Sequence, residues 1–287
     1  MAPTRRRAAG DFPRPLLAIG VPCAGVLLIA IFLIDGFPYD QLGAQIVRRI
    51  EQSQGVRLVI GELAPDMQLA GPALTVTGMR ATLPSGDLLQ IDRALVRAAW
   101  STSWLTGSPA VHLELEGPAG GAVGTLRWNG STSWNGTVWD VEVGSPPLAD
   151  LVPVVGLDGR LDASGDVQTG ELGSDGTIYF EVRDGSLSLP NVSVALPFEL
   201  LSGDLELGGD DYLILDSIRI EGSVVSGTGH GKIARAETFE QAPVSIELEL
   251  SIDSALSRKV RAAGLRVGRR GQTKVRISGT VAQPTIR

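Results

Sequence analysis

Cysteine and histidine are almost missing from this 287-residue chain, and their scarcity excludes several kinds of site. Cys23 is the only cysteine and lies in an apolar segment, so there is neither a disulfide framework nor a thiolate metal site. The two histidines, His112 and His230, are far apart and belong to no HExxH-like frame, so each is predicted to lie on a solvated face. We therefore predict no metal site and no cofactor.

Basic residues are scarce between the two ends of the chain. Residues 35–257 hold 12 basic and 31 acidic residues, whereas residues 258–287 hold nine basic residues and no acid. An acidic body repels nucleic acid, which excludes it as a predicted partner. The basic tail is predicted to pair with this acidic body, and the alternative is contact with anionic lipid headgroups.

One uncharged apolar run stands near the N-terminus. Residues 16–34 carry no charge and would span ~28 Å as a helix, close to the hydrocarbon thickness of a bilayer. Four arginines precede the run and are predicted to keep the N-terminus in the cytoplasm: Arg5, Arg6, Arg7 and Arg14. The alternative is a cleaved signal peptide, but no small-x-small site follows the run. We predict a retained single-pass anchor.

The segment after the anchor has a helical pattern over residues 36–55. Leu42, Ile46 and Ile50 recur at a spacing of four, and Gly55 is suited to end the helix. Two roles remain open for it, a plug at one end of the following sheet and a helix on the membrane surface.

Aromatic residues make up only 5% of the chain, whereas glycine occurs 36 times, and this composition favours many short strands. The clearest strand is VSIELELSID at 244–253, in which aliphatic and polar residues alternate strictly. Further strands are predicted near 73–82, 88–99, 111–116, 157–162, 177–182, 192–207, 212–221, 223–233 and 272–282. Tight hairpins are predicted at Asn129-Gly130 and Asn135-Gly136, so the sheet is predicted to be antiparallel, at least locally.

Helices are too few in this pattern to cover a dozen amphipathic strands. Candidates lie at 148–155 and after Asp253 or Ser254, with Gly264 beyond the end of the second. Either two sheets pack face to face, or one sheet curls and leaves its aliphatic side as a trough. In the second case an apolar groove is predicted on one strand, lined by Val244, Ile246, Leu248, Leu250 and Ile252.

The sequence contains no convincing catalytic set. SGTGHGK at 226–232 departs from the phosphate-loop pattern at Ser226 and Ile233. We therefore interpret its glycines as residues that relieve crowding between strands. The acid pairs Asp210-Asp211 and Glu247/Glu249 fit a turn and a wet strand face. We predict that the protein is not an enzyme.

Several stretches together resemble the type II secretion system protein N family and, more distantly, the AsmA-like envelope proteins. They are FPYD after the anchor, VRLVIGELAP, LSGDLELGGDDYLILDSIRIEGSVVSGTGHGKI at 201–233, and the closing VRISGTVAQPTIR with its Gly-x-x-x-x-Pro from Gly279 to Pro284. The similarity covers nearly the whole chain, and the order of the stretches matters more than any one of them.

The resemblance implies a bacterial inner-membrane protein with its body in the periplasm. The expected layout is a cytoplasmic N-terminus (1–15), an anchor (16–34), a juxtamembrane helix (36–55) and a β-domain (56–287). The fold is expected to be mainly β, an elongated, twisted or curled antiparallel sheet with a few short helices. It implies a structural or assembly role in type II secretion, with inner-membrane platform proteins and the outer-membrane secretin as partners. The alternative is an AsmA-like protein that binds or transfers membrane lipid.

Overall fold

The computed structural model describes residues 38–54, 57–68, 71–82, 88–99, 107–129, 131–144, 156–170, 173–188, 194–209, 211–238, 241–262, 267–268 and 270–286. The predicted anchor with its four arginines and the predicted helix at 148–155 lie outside these residues. Among the described residues, no helix has the length and apolarity needed to cross a membrane. The chain divides into two units, residues 1–45 and 46–287.

The described part of the chain consists mainly of strands and contains two helices. The helices are α1 (Tyr39–Gln54) and α2 (Ser254–Ala262). The strands are β1 (Arg57–Val59), β2 (Glu62–Gln68), β3 (Gly71–Thr82), β4 (Leu88–Ala98), β5 (Ala110–Gly117), β6 (Gly120–Trp128), β7 (Thr132–Glu142), β8 (Gly156–Gly170), β9 (Gly173–Ser188), β10 (Ala195–Gly208), β11 (Asp211–Glu221), β12 (Val225–Ala234), β13 (Pro243–Ile252), β14 (Gln272–Thr280) and β15 (Pro284–Ile286).

All fifteen strands form one antiparallel sheet. From β3 to β15 each strand pairs with the next one along the chain, while β1 and β2 both pair with β3. Every stretch for which alternation predicts a strand overlaps a strand in the described part of the chain, so the mainly-β prediction is confirmed. Helix α1 lies within the range 36–55, for which the sequence predicts a helix.

One of the two predicted hairpins is wrong. β6 does pair with β7 beyond the first site, where the Asn129 N–H donates to the Ser131 carbonyl at 2.9 Å. Asn135 and Gly136, however, lie inside β7, where Gly136 pairs with Gly124 of β6. The Trp134 ring explains the difference, because a Cβ on Gly124 would lie 2.5 Å from its Cζ2 atom. An aromatic ring that covers facing glycines stabilises a strand where the dipeptide alone favours a turn.

The main hydrophobic core lies in the C-terminal half of the sheet. It runs from β9 to β15 and includes Val260 of α2, which is fully buried. A second buried set lies near the other end of the sheet, at Leu58, Ala73, Leu95 and Ala110. Leu95 pairs with Thr75 and Glu114, so it lies on the opposite face from its neighbour Ala94. The strands near this end therefore bury residues on both faces.

Helix α2 begins where the sequence predicts, and Asp253 is its N-cap. The Asp253 carboxylate accepts a hydrogen bond from the Ala255 N–H at 3.0 Å. Hydrogen bonds from the first backbone N–H groups of the helix lower the pKa of Asp253. The Asp253 N–H in turn donates to the Val224 carbonyl at 2.9 Å, which places α2 at the end of β13 beside β12.

Candidate functional site

The five aliphatic residues predicted to line a groove form part of the core instead. Val244, Ile246, Leu248, Leu250 and Ile252 share one face of β13, here called the apolar face, and they are between 2% and 8% exposed. They belong to the cluster that also contains residues of β9 to β12, β14 and α2. Because these side chains are packed, β13 presents almost no apolar surface to a ligand.

Three inward glycines of β12 allow this packing. Gly227, Gly229 and Gly231 pair with Leu250, Leu248 and Ile246. The β13 side chains lean over them, since a Cβ on Gly231 would lie 2.7 Å from Ile246 Cγ1. The SGTGHGK stretch is therefore a strand whose glycines make room for the core, in agreement with the prediction that it is no phosphate loop.

The burial of the apolar face falls from β9 towards β2. Cross-strand pairs place Val138, Leu115 and Val76 on the same face as Leu248, and all three are half-buried. Met67 of β2 pairs with Pro72 on this face and is 68% exposed. The apolar face is thus packed at one end of the sheet and accessible at the other.

The opposite face, here called the polar face, forms a cavity of about 1030 Å³ over β9 to β14. Its charged and hydroxyl-bearing lining is Tyr179, Ser202, Asp204, Asp216, Ser217, Arg219, Thr228, His230, Glu247, Glu249, Lys274, Arg276 and Ser278. The charges of both signs nearly balance. The cavity therefore suits neither a polyanion nor a polycation.

Cross-strand ion pairs hold the charges at one side of this cavity. Lys274 Nζ lies 2.5 Å from Glu249 Oε1, and Arg276 pairs with Glu247. Mutual hydrogen bonding raises the pKa of Lys274 and lowers the pKa of Glu249. Glu247 and Glu249 are thus committed to ion pairs on a wet strand face, as the alternation suggests.

The basic tail pairs partly with the acidic body, as predicted. Lys274 and Arg276 of β14 bind the β13 glutamates. Arg261 of α2 donates instead within the tail, to the carbonyls of Val267 at 3.1 Å and Gly268 at 2.9 Å. The other predicted acid pair is Asp210-Asp211. Asp211 accepts a hydrogen bond from Lys232 Nζ at 3.2 Å, so this carboxylate also has a structural role. Asp210 lies outside the described residues.

The two histidines lie on strand faces and do not meet. His230 is exposed on the polar face opposite Glu247, as predicted. His112 is half-buried, with Nε2 3.0 Å from Glu114 Oε1, so it is less solvated than expected. No group of three or more metal-binding side chains comes together in the part of the chain that the structure describes.

The structure contains an acidic cavity of about 240 Å³ that the sequence does not predict. It lies where β7, β8 and β9 lose their regular register, and it is lined by Pro118, Asp140, Glu142, Asp158, Gly159, Arg160 and Asp184. Asp140 and Asp184 have positive φ angles of 54° and 50°, which non-glycine residues rarely adopt. Arg160 donates to Asp140 at 2.7 Å, and the surrounding carboxylates raise the pKa of Arg160. This arginine offsets part of the carboxylate repulsion.

Comparison with known proteins gives no relative for this chain. No family model, no curated protein and no solved structure matches it.

Proposed function

We propose that this protein is a non-enzymatic, inner-membrane-anchored periplasmic component of a type II protein secretion system, with a structural or assembly role. The observation that carries the proposal is one antiparallel sheet of fifteen strands, packed at one end and offering an accessible face and an edge at the other. Such a sheet is suited to hold partner proteins side by side. The order of strand and glycine motifs along the sequence supports the same role.

We also propose that the sheet is elongated and curled, and that it follows a membrane anchor in the chain. Register breaks in the pairs β7–β8, β8–β9, β10–β11 and β11–β12 support curling, because a β-bulge bends its strand and increases the local twist. The uncharged run at 16–34 and the four preceding arginines support the anchor and its orientation.

Purification of the full-length tagged chain from detergent-solubilised membranes tests the assembly role. We expect inner-membrane platform subunits to copurify in constant proportion to the chain, and secretion to fail when the chain is deleted. Normal secretion in the deletion strain, or an eluate that contains no platform subunit, would contradict the proposal. The same preparation with a chain that lacks the tag controls for non-specific recovery.

A second candidate function is AsmA-like binding or transfer of membrane lipid. The observation that favours it is the half-buried stretch of the apolar face on β5 to β8. Leu113 pairs there with Val96 and Gly124, and Leu161 pairs with Val141 and Val182. An acyl chain would contact this stretch, because the predicted lining on β13 is already packed.

The lipid alternative predicts that a polar group on this stretch prevents binding. We expect native mass spectrometry of the wild-type chain to show co-purified phospholipid, and Leu113→Gln to lose most of it. The matched control is Glu114→Gln, which lies next to it on the polar face and should keep the lipid. A wild-type chain without bound lipid, or equal lipid in both variants, would contradict this alternative.

A further inference from the structure

Two aromatic side chains are exposed on the polar face of the sheet. Trp139 of β7 and Tyr179 of β9 have exposed fractions of 38% and 44%. Their neighbours in sequence, Val138 and Phe180, are linked through Ala163 of β8 on the apolar face, which places both rings on the opposite face. Tyrosine and tryptophan are common at binding surfaces, because each combines a large apolar ring with a polar group.

Each of these rings is held in place by a contact within the sheet. The Trp139 ring lies over the β6 backbone, since a Cβ on Gly121 would lie 2.5 Å from its Cε2 atom. The Tyr179 hydroxyl donates to Glu181 Oε1 at 2.7 Å. The two aromatic residues lie two strands apart, about 10 Å across the sheet. Side chains fixed before binding lose less conformational entropy when a ligand arrives.

A groove runs across the strands beside the two rings. The cavity over β9 to β14 adjoins a second cavity of about 260 Å³ over β8 to β11, and both are lined by Tyr179, Asp204 and Asp216. Together they are here called the polar groove. Trp139 lies on β7, the next strand beyond the β8 end of the groove. Side chains along the groove repeat at the strand spacing of ~4.8 Å.

The polar groove offers hydrogen-bonding groups with little net charge. Asp216 and His230 are exposed and have no hydrogen-bond or ion-pair partner among the described residues. Asp204 accepts a hydrogen bond from Ser217 at 3.0 Å, which leaves further positions on its carboxylate. The larger cavity contains four carboxylates and three cationic side chains. A neutral ligand rich in hydroxyl groups fits these side chains, because a hydroxyl both donates and accepts.

Other classes of ligand fit the polar groove less well. A polypeptide docks on a sheet by adding a strand at an edge, but each strand from β9 to β13 already pairs on both sides. An acyl chain would meet mainly polar side chains. An oligosaccharide combines hydroxyl groups with apolar C–H faces that stack on aromatic rings, and a pyranose ring is about as long as the strand spacing of ~4.8 Å.

We propose that the polar groove, together with Trp139 and Tyr179, binds a neutral oligosaccharide of several pyranose rings. The two aromatic rings stack on C–H faces of the sugar, and Asp204, Asp216 and His230 bind its hydroxyl groups. Hydrogen bonds to ionised side chains are stronger than those between neutral groups, which provides affinity for an uncharged ligand. This site is independent of the assembly role and of the lipid alternative, which use other surfaces of the sheet.

Isothermal titration calorimetry of the full-length chain, in a detergent without a sugar headgroup, tests this site. The probes are two extended neutral hexasaccharides, cellohexaose and hexa-N-acetylchitohexaose, and we expect at least one of them to bind. Trp139→Ala and Tyr179→Ala should each weaken binding at least about ten-fold. Asp216→Ala should weaken it at least about three-fold, the effect of one lost hydrogen bond.

Trp128→Ala is the matched control for Trp139→Ala. Trp128 is 41% exposed and lies two residues after Leu126 on β6, on the apolar face, so its loss should leave binding unchanged. Tyr179→Phe keeps the ring and should retain binding within about three-fold. Urea unfolding of each variant separates lost binding from lost folding. Should Trp139→Ala fail to fold, Tyr179→Ala and Asp216→Ala still test the site.

Four outcomes would overturn the proposal. The first is that neither hexasaccharide binds the wild-type chain. The second is wild-type affinity in both Trp139→Ala and Tyr179→Ala. The third is an equal loss in Trp128→Ala and Trp139→Ala, which would show that the sugar does not select the polar face. The fourth is displacement of the sugar by an equal concentration of a neutral glycine-serine peptide, which would assign the groove to a polypeptide.

Discussion

The Leu248→Ala variant is expected to lose about 2–5 kcal/mol of unfolding free energy, the range for a large-to-small change in a packed core. Leu248 is 5% exposed at the centre of β13 and pairs with Gly229 on one side and Val275 on the other. Since Gly229 has no side chain that can move into the space, the cavity would collapse poorly. Urea unfolding followed by circular dichroism measures the loss.

Leu88→Ala is the matched control, because it makes the same change at a residue that is 57% exposed. Surface substitutions of this kind usually stay within about 0.5 kcal/mol of wild type. Equal losses in the two variants would mean that β13 does not belong to a packed core. In that case the open groove first predicted on β13 would regain support.

The Gly229→Ala variant is expected to lose about 1–3 kcal/mol through overpacking. The new Cβ would overlap Leu248 Cδ2 and lie 2.8 Å from the Glu247 carbonyl oxygen. Combining it with Leu248→Ala removes the first of these clashes, so the double variant should be more stable than the sum of the single losses predicts. Contacting residues show coupling of about 0.5–3 kcal/mol in such cycles.

Gly170→Ala controls for the effect of replacing a strand glycine. Among the described residues, a Cβ there would meet only Ser131 Cβ at 3.7 Å, an ordinary contact. This variant is expected to be near neutral, because alanine also lowers the conformational entropy of the unfolded chain. Strict additivity in the Gly229/Leu248 cycle would show that the β13 leucine does not lie over the β12 glycine.

Local patterns in the sequence predict the strands and the start of α2 well. Alternation places β13 at 244–253 against the observed Pro243–Ile252, and Asp253 as N-cap follows from its position before the helical pattern. These features depend on residues close together in the chain. The prediction of a turn at Asn135-Gly136 is wrong because the outcome depends on a contact between two strands. The Trp134 ring covers Gly124 of β6, which lies eleven residues before Asn135 in the chain.

Two features of the candidate surfaces could not be predicted from the sequence. One depends on where a strand lies in the whole sheet, and the other depends on where the pairing register of the strands breaks. Leu113 and Leu248 have the same alternating context, yet one is half-buried and the other is packed. The acidic cavity needs the register breaks that rotate Asp140 and Asp184 to positive φ. Asp140 has no glycine beside it, and the Asp184-Gly185 pair is typical of a hairpin turn, whereas both of its residues lie inside β9.

The pairing of each strand with its neighbour along the chain has a consequence for folding. Hairpins can form one after another as the polypeptide emerges, without waiting for distant segments, and such local pairing favours rapid folding. The main hydrophobic core, however, is encoded last, from β9 onwards. Nascent chains that stop before β9 therefore lack the main core, so a truncated product should be a substrate for proteases and chaperones.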